Sequence, residues 1–156
     1  MVNRPVKQSP ALDRVEKTMR SMSISERGFL GHESRKLVEI LTEDQGTIHS
    51  LGLNDEVIAQ RLRALTDAAR DGWGEPVVVK ERFEVHLVEA RGKIPCPWGH
   101  PGLYPKTHVV LTDTRTGESL VWSDLALHLI EAHGFYQGRG SPYRLEPRTI
   151  KRMLDL

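Results

Sequence analysis

Between Gly72 and Pro76 the chain changes its hydrophobic period, and that switch limits the fold more than any other feature of the sequence. Before it, apolar residues recur at helical spacing, first as Leu30, Leu37, Val38 and Leu41, then as Ile58, Leu62, Leu65 and Ala69. After it, Phe83, Val85 and Leu87 alternate with Glu84 and His86, as a half-buried strand requires, and "VVVK" adds a β-branched run. "HVVLTD" and "SLVW" flank "TRTGE", where Gly117 supplies the positive φ of a short hairpin loop. "SDLALHLIEAHG" then returns to a helix, capped by Ser123 or Asp124 and stopped by Gly134. A last short helix begins at Pro147 and carries Ile150, Met153 and Leu154. The order predicts an α+β fold: an N-terminal helical hairpin, a small antiparallel sheet and a histidine-bearing helix.

The boundaries follow from local signals. Residues 1–22 hold Pro5, Pro10, scattered charge and few large apolar side chains, so a tail is expected there, with "DRVEKTMRSM" as a segment able to form a helix on a partner. Residues 23–156 are expected as a single α+β domain. Ser23 followed by Glu26 has the form of a capping box and predicts a helix to about Glu43, ending before "EDQGT". Asn54, with Asp55 and Glu56 in the first turn, opens a second helix that "DGWGEP" stops, giving a helical hairpin over 23–72. Sheet and histidine helix occupy 76–134, and a loop with the last helix occupies 135–156. With 22 Lys+Arg against 21 Asp+Glu, the bulk charge calls for no polyanionic partner. No apolar run approaches the length of a membrane span, and the N-terminus has no secretory pattern, so the expected setting is the cytoplasm, away from membranes.

Chemistry concentrates in two short stretches. "KIPCPWGH" holds the only cysteine, Cys96, with His100 beyond a Pro- and Gly-containing turn. "HLIEAH" places His128 and His133 near the end of the predicted helix. A thiolate and imidazoles arriving as two close pairs are the ligand chemistry of zinc, and the expectation is one zinc (or iron) per chain on Cys96, His100, His128 and His133, with His108 and His86 as spare ligands. A separation of five positions turns about 140° around an ideal helix, so His128 and His133 reach one point only if the helix end adjusts. Trp122, just before that helix, is placed to cover the ion.

The two pairs resemble the two-cysteine, two-histidine zinc finger, in which a β-hairpin supplies one ligand pair and the following helix the other. The resemblance spans about residues 94–134. His100 stands where the second cysteine of that pattern falls, and the interval from His100 to His128 accommodates a complete hairpin. It implies ligand roles for Cys96, His100, His128 and His133 alone, because the apolar "DLALHLIEAH" is not a surface for the major groove.

These features predict a metal-binding, protein-interaction or regulatory module rather than an enzyme. The partner surface is expected on the N-terminal helical hairpin or in "GFYQGRGSPYRLEP", on Phe135, Tyr136, Arg139, Tyr143 and Arg144, since aromatic and arginine side chains are the usual anchors; the other reading of that loop is a connector whose aromatics close the core. A second class is a metal-dependent hydrolase or nuclease with Glu131 as general base, although "HLIEAH" matches neither H-E-x-x-H nor H-x-x-E-H. A third is a nucleic-acid-binding regulator using Arg139, Arg144, Arg148, Lys151 and Arg152, or a helix-turn-helix in "IHSLGLNDEVIAQRLRAL".

Overall fold

A computed structural model of the chain describes residues 6–22 and 28–156. The order is α1 (Pro10–Ser21), α2 (Leu37–Ser50), α3 (Asp55–Asp71), β1 (Val77–Val79), β2 (Phe83–Val88), β3 (Lys93–Pro95), β4 (Leu103–Pro105), β5 (His108–Asp113), β6 (Ser119–Ser123), α4 (Asp124–His133) and α5 (Pro147–Leu154). This is the α+β order read from the sequence. Among the described residues no helix is long and apolar enough to cross a membrane.

The N-terminal region departs from expectation in two places. Pro10–Ser21 is a helix packed into the protein's own core through Val15 and Met19, where a tail was expected. Ser9 caps it, its hydroxyl accepting from the Leu12 N–H at 3.1 Å, and Pro10 fills the first turn, where a missing N–H costs nothing. The Ser23 and Glu26 capping box lies outside the described residues. Leu30 sits in a turn, and the next helix starts only at Leu37. There the free N–H groups find carboxylates: Glu16 of α1 accepts from Leu37 at 2.6 Å, and Glu39 accepts from Lys36 at 3.0 Å.

Helix α2 also runs through "EDQGT" to Ser50, because residues that would leave an isolated helix weak here have buried partners. The Arg144 guanidinium grips Asp44 through two contacts of 2.9 Å, and Gln45 donates to the Asp55 carboxylate at 3.0 Å and to the Gly134 carbonyl at 3.2 Å. Tertiary contact thus overrides local propensity. The Asn54 cap holds as read, its side chain accepting from the Val57 N–H at 2.7 Å. The two helices of the expected hairpin make their main contacts elsewhere, α3 with α4, β1 and β2, and α2 with α1 and α5.

The larger sheet is antiparallel with strand order β1-β2-β5-β6. Its register pairs Val85 with Leu111 and Leu111 with Leu120, aligning the inward residues of the strands. Phe83, Val85, Val109, Leu111, Leu120 and Trp122 bury that face against α3, α4 and α5. The β3–β4 hairpin, inserted between β2 and β5, is a separate two-stranded sheet that the sequence reading left as a turn. It belongs to a second core with α1, α2, Cys96 and Phe135. Helix α4 divides the two, giving Ala126, Leu127 and Ile130 to the first core and Leu125 and Leu129 to the second.

Beneath the C-terminal end of α4, buried Asp55 accepts from the Tyr136 hydroxyl at 2.7 Å as well as from Gln45. Asp55→Ala strands two buried donors and is expected to cost about 3 kcal/mol or more, against about 1–2 kcal/mol for Tyr136→Phe. Urea unfolding of the two variants beside the parent chain checks that order.

Candidate metal centre

The tip of the β3–β4 hairpin turns back on itself where the Gly99 N–H donates to the Cys96 carbonyl at 2.9 Å. Cys96 faces inward and is 3% exposed, while His100 lies at the surface. The other two side chains come from α4, whose first turn is capped by the Ser123 hydroxyl, 3.2 Å from the Ala126 N–H. Gly134 ends α4 at φ 62°, and a Cβ there would stand 2.5 Å from Gln45 Nε2, so this position needs both the left-handed backbone and the missing side chain.

The expected obstacle, two histidines on diverging sides of a helix, is overcome by reach. His128 and His133 both present Nε2, the nitrogen farther from the backbone, and their rings meet at 5.2 Å and 82°. The His100 ring lies against both, 5.0 Å from His128 and 4.5 Å from His133. One ligand atom from each of Cys96, His100, His128 and His133 falls within 4.8 Å of all the others. Cys96 Sγ is 3.5 Å from His133 Nε2, and His100 Nδ1 is 3.1 Å from His128 Nε2. A tetrahedral ion with metal–sulfur bonds of about 2.3 Å and metal–nitrogen bonds of about 2.0 Å has S···N edges of about 3.5 Å and N···N edges of about 3.3 Å. Hydrogen bonds would explain these two contacts only, whereas one cation at the centre explains the convergence of all four. The group can hold a metal ion.

Aromatic rings fix the ligands in place. Trp98 stacks on His133 with centroids 4.1 Å apart and planes 7° from parallel, and leans on Phe135 at 5.7 Å. Tyr104, paired with Ile94 across the hairpin, stacks on His128 at 5.1 Å. Such a shell limits water and holds ring orientation. Burial, then the neighbouring His100, lowers the pKa of His128 and favours the neutral ring that binds metals, with Glu131 opposing. In the metal-free chain the stability linked to this neutral ring is present above the ordinary histidine range and is lost as pH falls through the lowered value. The Tyr104 phenol is shifted upward by burial and by the Cys96 charge.

Other residues singled out by sequence lie elsewhere. His108 turns Nδ1 toward the Lys106 carbonyl at 3.4 Å and meets Tyr143 edge-on, while His86 sits on β2 opposite Val110, so neither joins the centre. Trp122 does not cover it: fully buried in the first core, its Nε1–H donates to Thr66 Oγ1 at 2.8 Å. Trp98 and Tyr104 take that role. Tyr104 was missed because "CPWGHPGLYP" was read as a turn, not as a hairpin whose second strand faces α4. Glu131 pairs with Arg63 at 2.6 Å.

The aromatic loop follows the connector reading at Phe135, Tyr136 and Arg144. Phe135 and Tyr136 are each 1% exposed, and Arg144 is half-buried against buried Asp44, so these three hold the core together. Arg139 is exposed and pairs with Glu43 at 3.0 Å, and Tyr143 is half-buried beside His108. The C-terminal cations are also engaged, Arg152 with Glu118 at 2.6 Å and Lys151 with the Leu51 carbonyl at 2.8 Å. No protein family, curated protein or solved structure matches this chain.

The geometry distinguishes the three imidazoles. In the metal-loaded protein His100 is expected to bind through Nδ1 and keep its proton on Nε2, while His128 and His133 bind through Nε2 and keep theirs on Nδ1. Long-range proton–nitrogen correlation of the rings reads the tautomers directly, and a uniform pattern across all three would contradict the assignment.

Proposed function

We propose that Cys96, His100, His128 and His133 hold one structural zinc ion, and that the chain serves as a small protein-interaction or regulatory module built around it. The observation that carries this reading is the meeting of one thiol and three imidazoles within 4.8 Å, with the Cys96–His133 and His100–His128 contacts near tetrahedral edge lengths. The mixed sulfur and nitrogen donor set favours zinc over the hard, oxygen-seeking cations. Four protein ligands complete a tetrahedron and leave no position for a reacting water, which is the mark of a structural site.

The ion's work would be mechanical. Strands of three residues make a hairpin that is marginal alone, and the ion would tie its tip to α4. Its binding free energy then becomes part of the folding free energy of the second core. The hydrolase reading is weakened by the engagement of Glu131 with Arg63, and the nucleic-acid reading by the pairing of Arg139, Arg144 and Arg152 with acidic side chains. A protein partner is favoured by Trp73, which stands 93% exposed at φ 51° in the loop before β1; exposed tryptophan is the side chain that most often anchors an interface.

Protein purified without a histidine tag is expected to carry about one zinc per chain, absent from Cys96→Ser, whose thermal midpoint should fall to that of the chelator-treated parent. Glu131→Gln should retain both metal and midpoint. A wild-type chain that holds no metal after zinc is supplied during growth would overturn the proposal.

A further inference from the structure

A second site lies at the open end of the β3–β4 hairpin and shares no ligand residue with the metal centre. Phe29, Ile94, Pro105 and Leu125 wall a mostly apolar cavity of about 120 Å³. An apolar cavity of about 150 Å³ takes a benzene molecule, so this one suits a compact ligand of similar size that reaches partly into its mouth. Lys106, Gln137 and Tyr143 also line it, and they share one property. Among the described residues, the Lys106 ammonium has no ion-pair or hydrogen-bond partner, the Tyr143 hydroxyl bonds to nothing, and the Gln137 amide nitrogen donates to no acceptor. None of these donor atoms is both fully buried and unpartnered, so all three face the open edge of an apolar space and are available to a ligand's acceptor.

Gln137 is held there at some conformational expense. Its backbone sits at φ 71°, a region that residues with side chains rarely adopt, and it is 4% exposed. Its side-chain oxygen accepts from the Ser141 hydroxyl at 2.8 Å, and its carbonyl accepts from Arg144 at 2.6 Å, so both are pinned and the NH₂ group is left for the cavity. Strained residues over-determined by their neighbours gather at ligand sites. On the opposite rim the Lys106 stem crosses Gly92, where a Cβ would stand 3.4 Å from its Cδ and Cε.

We infer that this cavity binds a small monocarboxylate with a compact apolar body, the body between Phe29, Ile94 and Leu125 and the carboxylate facing Lys106, Gln137 and Tyr143. One positive charge and two neutral donors complement a carboxylate better than a dianion or a neutral hydrocarbon.

The probe is benzoate, added to the ¹⁵N-labelled, metal-loaded full chain, with benzyl alcohol as its neutral counterpart and Lys106→Met as the variant that keeps the apolar stem. Saturable shifts of the Gln137 side-chain amide are expected with benzoate, about tenfold or more weaker with benzyl alcohol and weakened similarly by Lys106→Met. A variant spectrum that matches the parent away from the cavity establishes that it is folded. If neither benzoate nor the smaller isobutyrate moves Gln137, or if Lys106→Met binds benzoate as the parent does, the assignment fails. Shifts confined to Cys96–His100 and the α4 histidines, from carboxylate reaching the metal centre, would overturn it equally.

Discussion

Three imidazoles and a thiol do not gather in one place without a reason, because each brings a polar atom that must be satisfied once water is excluded. Here their meeting point joins a hairpin tip to the end of a helix, with Cys96 and His100 on one side and His128 and His133 on the other. The placement of α4 decides whether that point exists. Its N-terminus is fixed by Ser123 as β6 ends, and its C-terminus by Gly134 above the Gln45, Asp55 and Tyr136 network. Since α4 is also the wall between the two apolar cores, packing on both sides aims the histidines before any ion arrives.

The polar interior supports the same arrangement. Arg144 takes no exposed role; it ties the loop after α4 to Asp44 in the middle of α2, and breaking a buried pair of this kind typically costs about 3–5 kcal/mol. Phe135, at the start of the same loop, closes the second core and supports Trp98, which in turn lies flat on His133. Loop, helix and hairpin are therefore mutually braced around the ligand cluster. Lys106, Gln137 and Tyr143 stand outside this bracing, at the edge of the apolar cavity.

Features with a local cause could be read from the sequence. Asn54 and Ser123 cap their helices through their own side chains, Gly134 stops α4 through its backbone freedom, and the alternation from Phe83 to Leu87 follows from a sheet buried on one face. The four candidate ligands were legible because two close pairs of soft donors are rare by chance. What escaped depends on contacts distant in sequence. Helix α1 is ordered by docking Val15 and Met19, and α2 passes Gly46 because Asp44 and Gln45 find partners roughly a hundred residues away. Trp98, not Trp122, lies over the centre, which the sequence hid because the β3–β4 strands are too short to announce themselves by alternation. Phe135, Tyr136 and Arg144 have the chemistry of an interface and of a core-closing connector alike, and tertiary packing decides for the connector.

The central claim is a closed coordination sphere of one sulfur and three nitrogens. X-ray absorption at the zinc edge of the metal-loaded protein measures that sphere directly. The account predicts one sulfur at about 2.3 Å and three imidazole nitrogens at about 2.0 Å. A sphere without sulfur, or one containing a water oxygen in place of an imidazole, would contradict it.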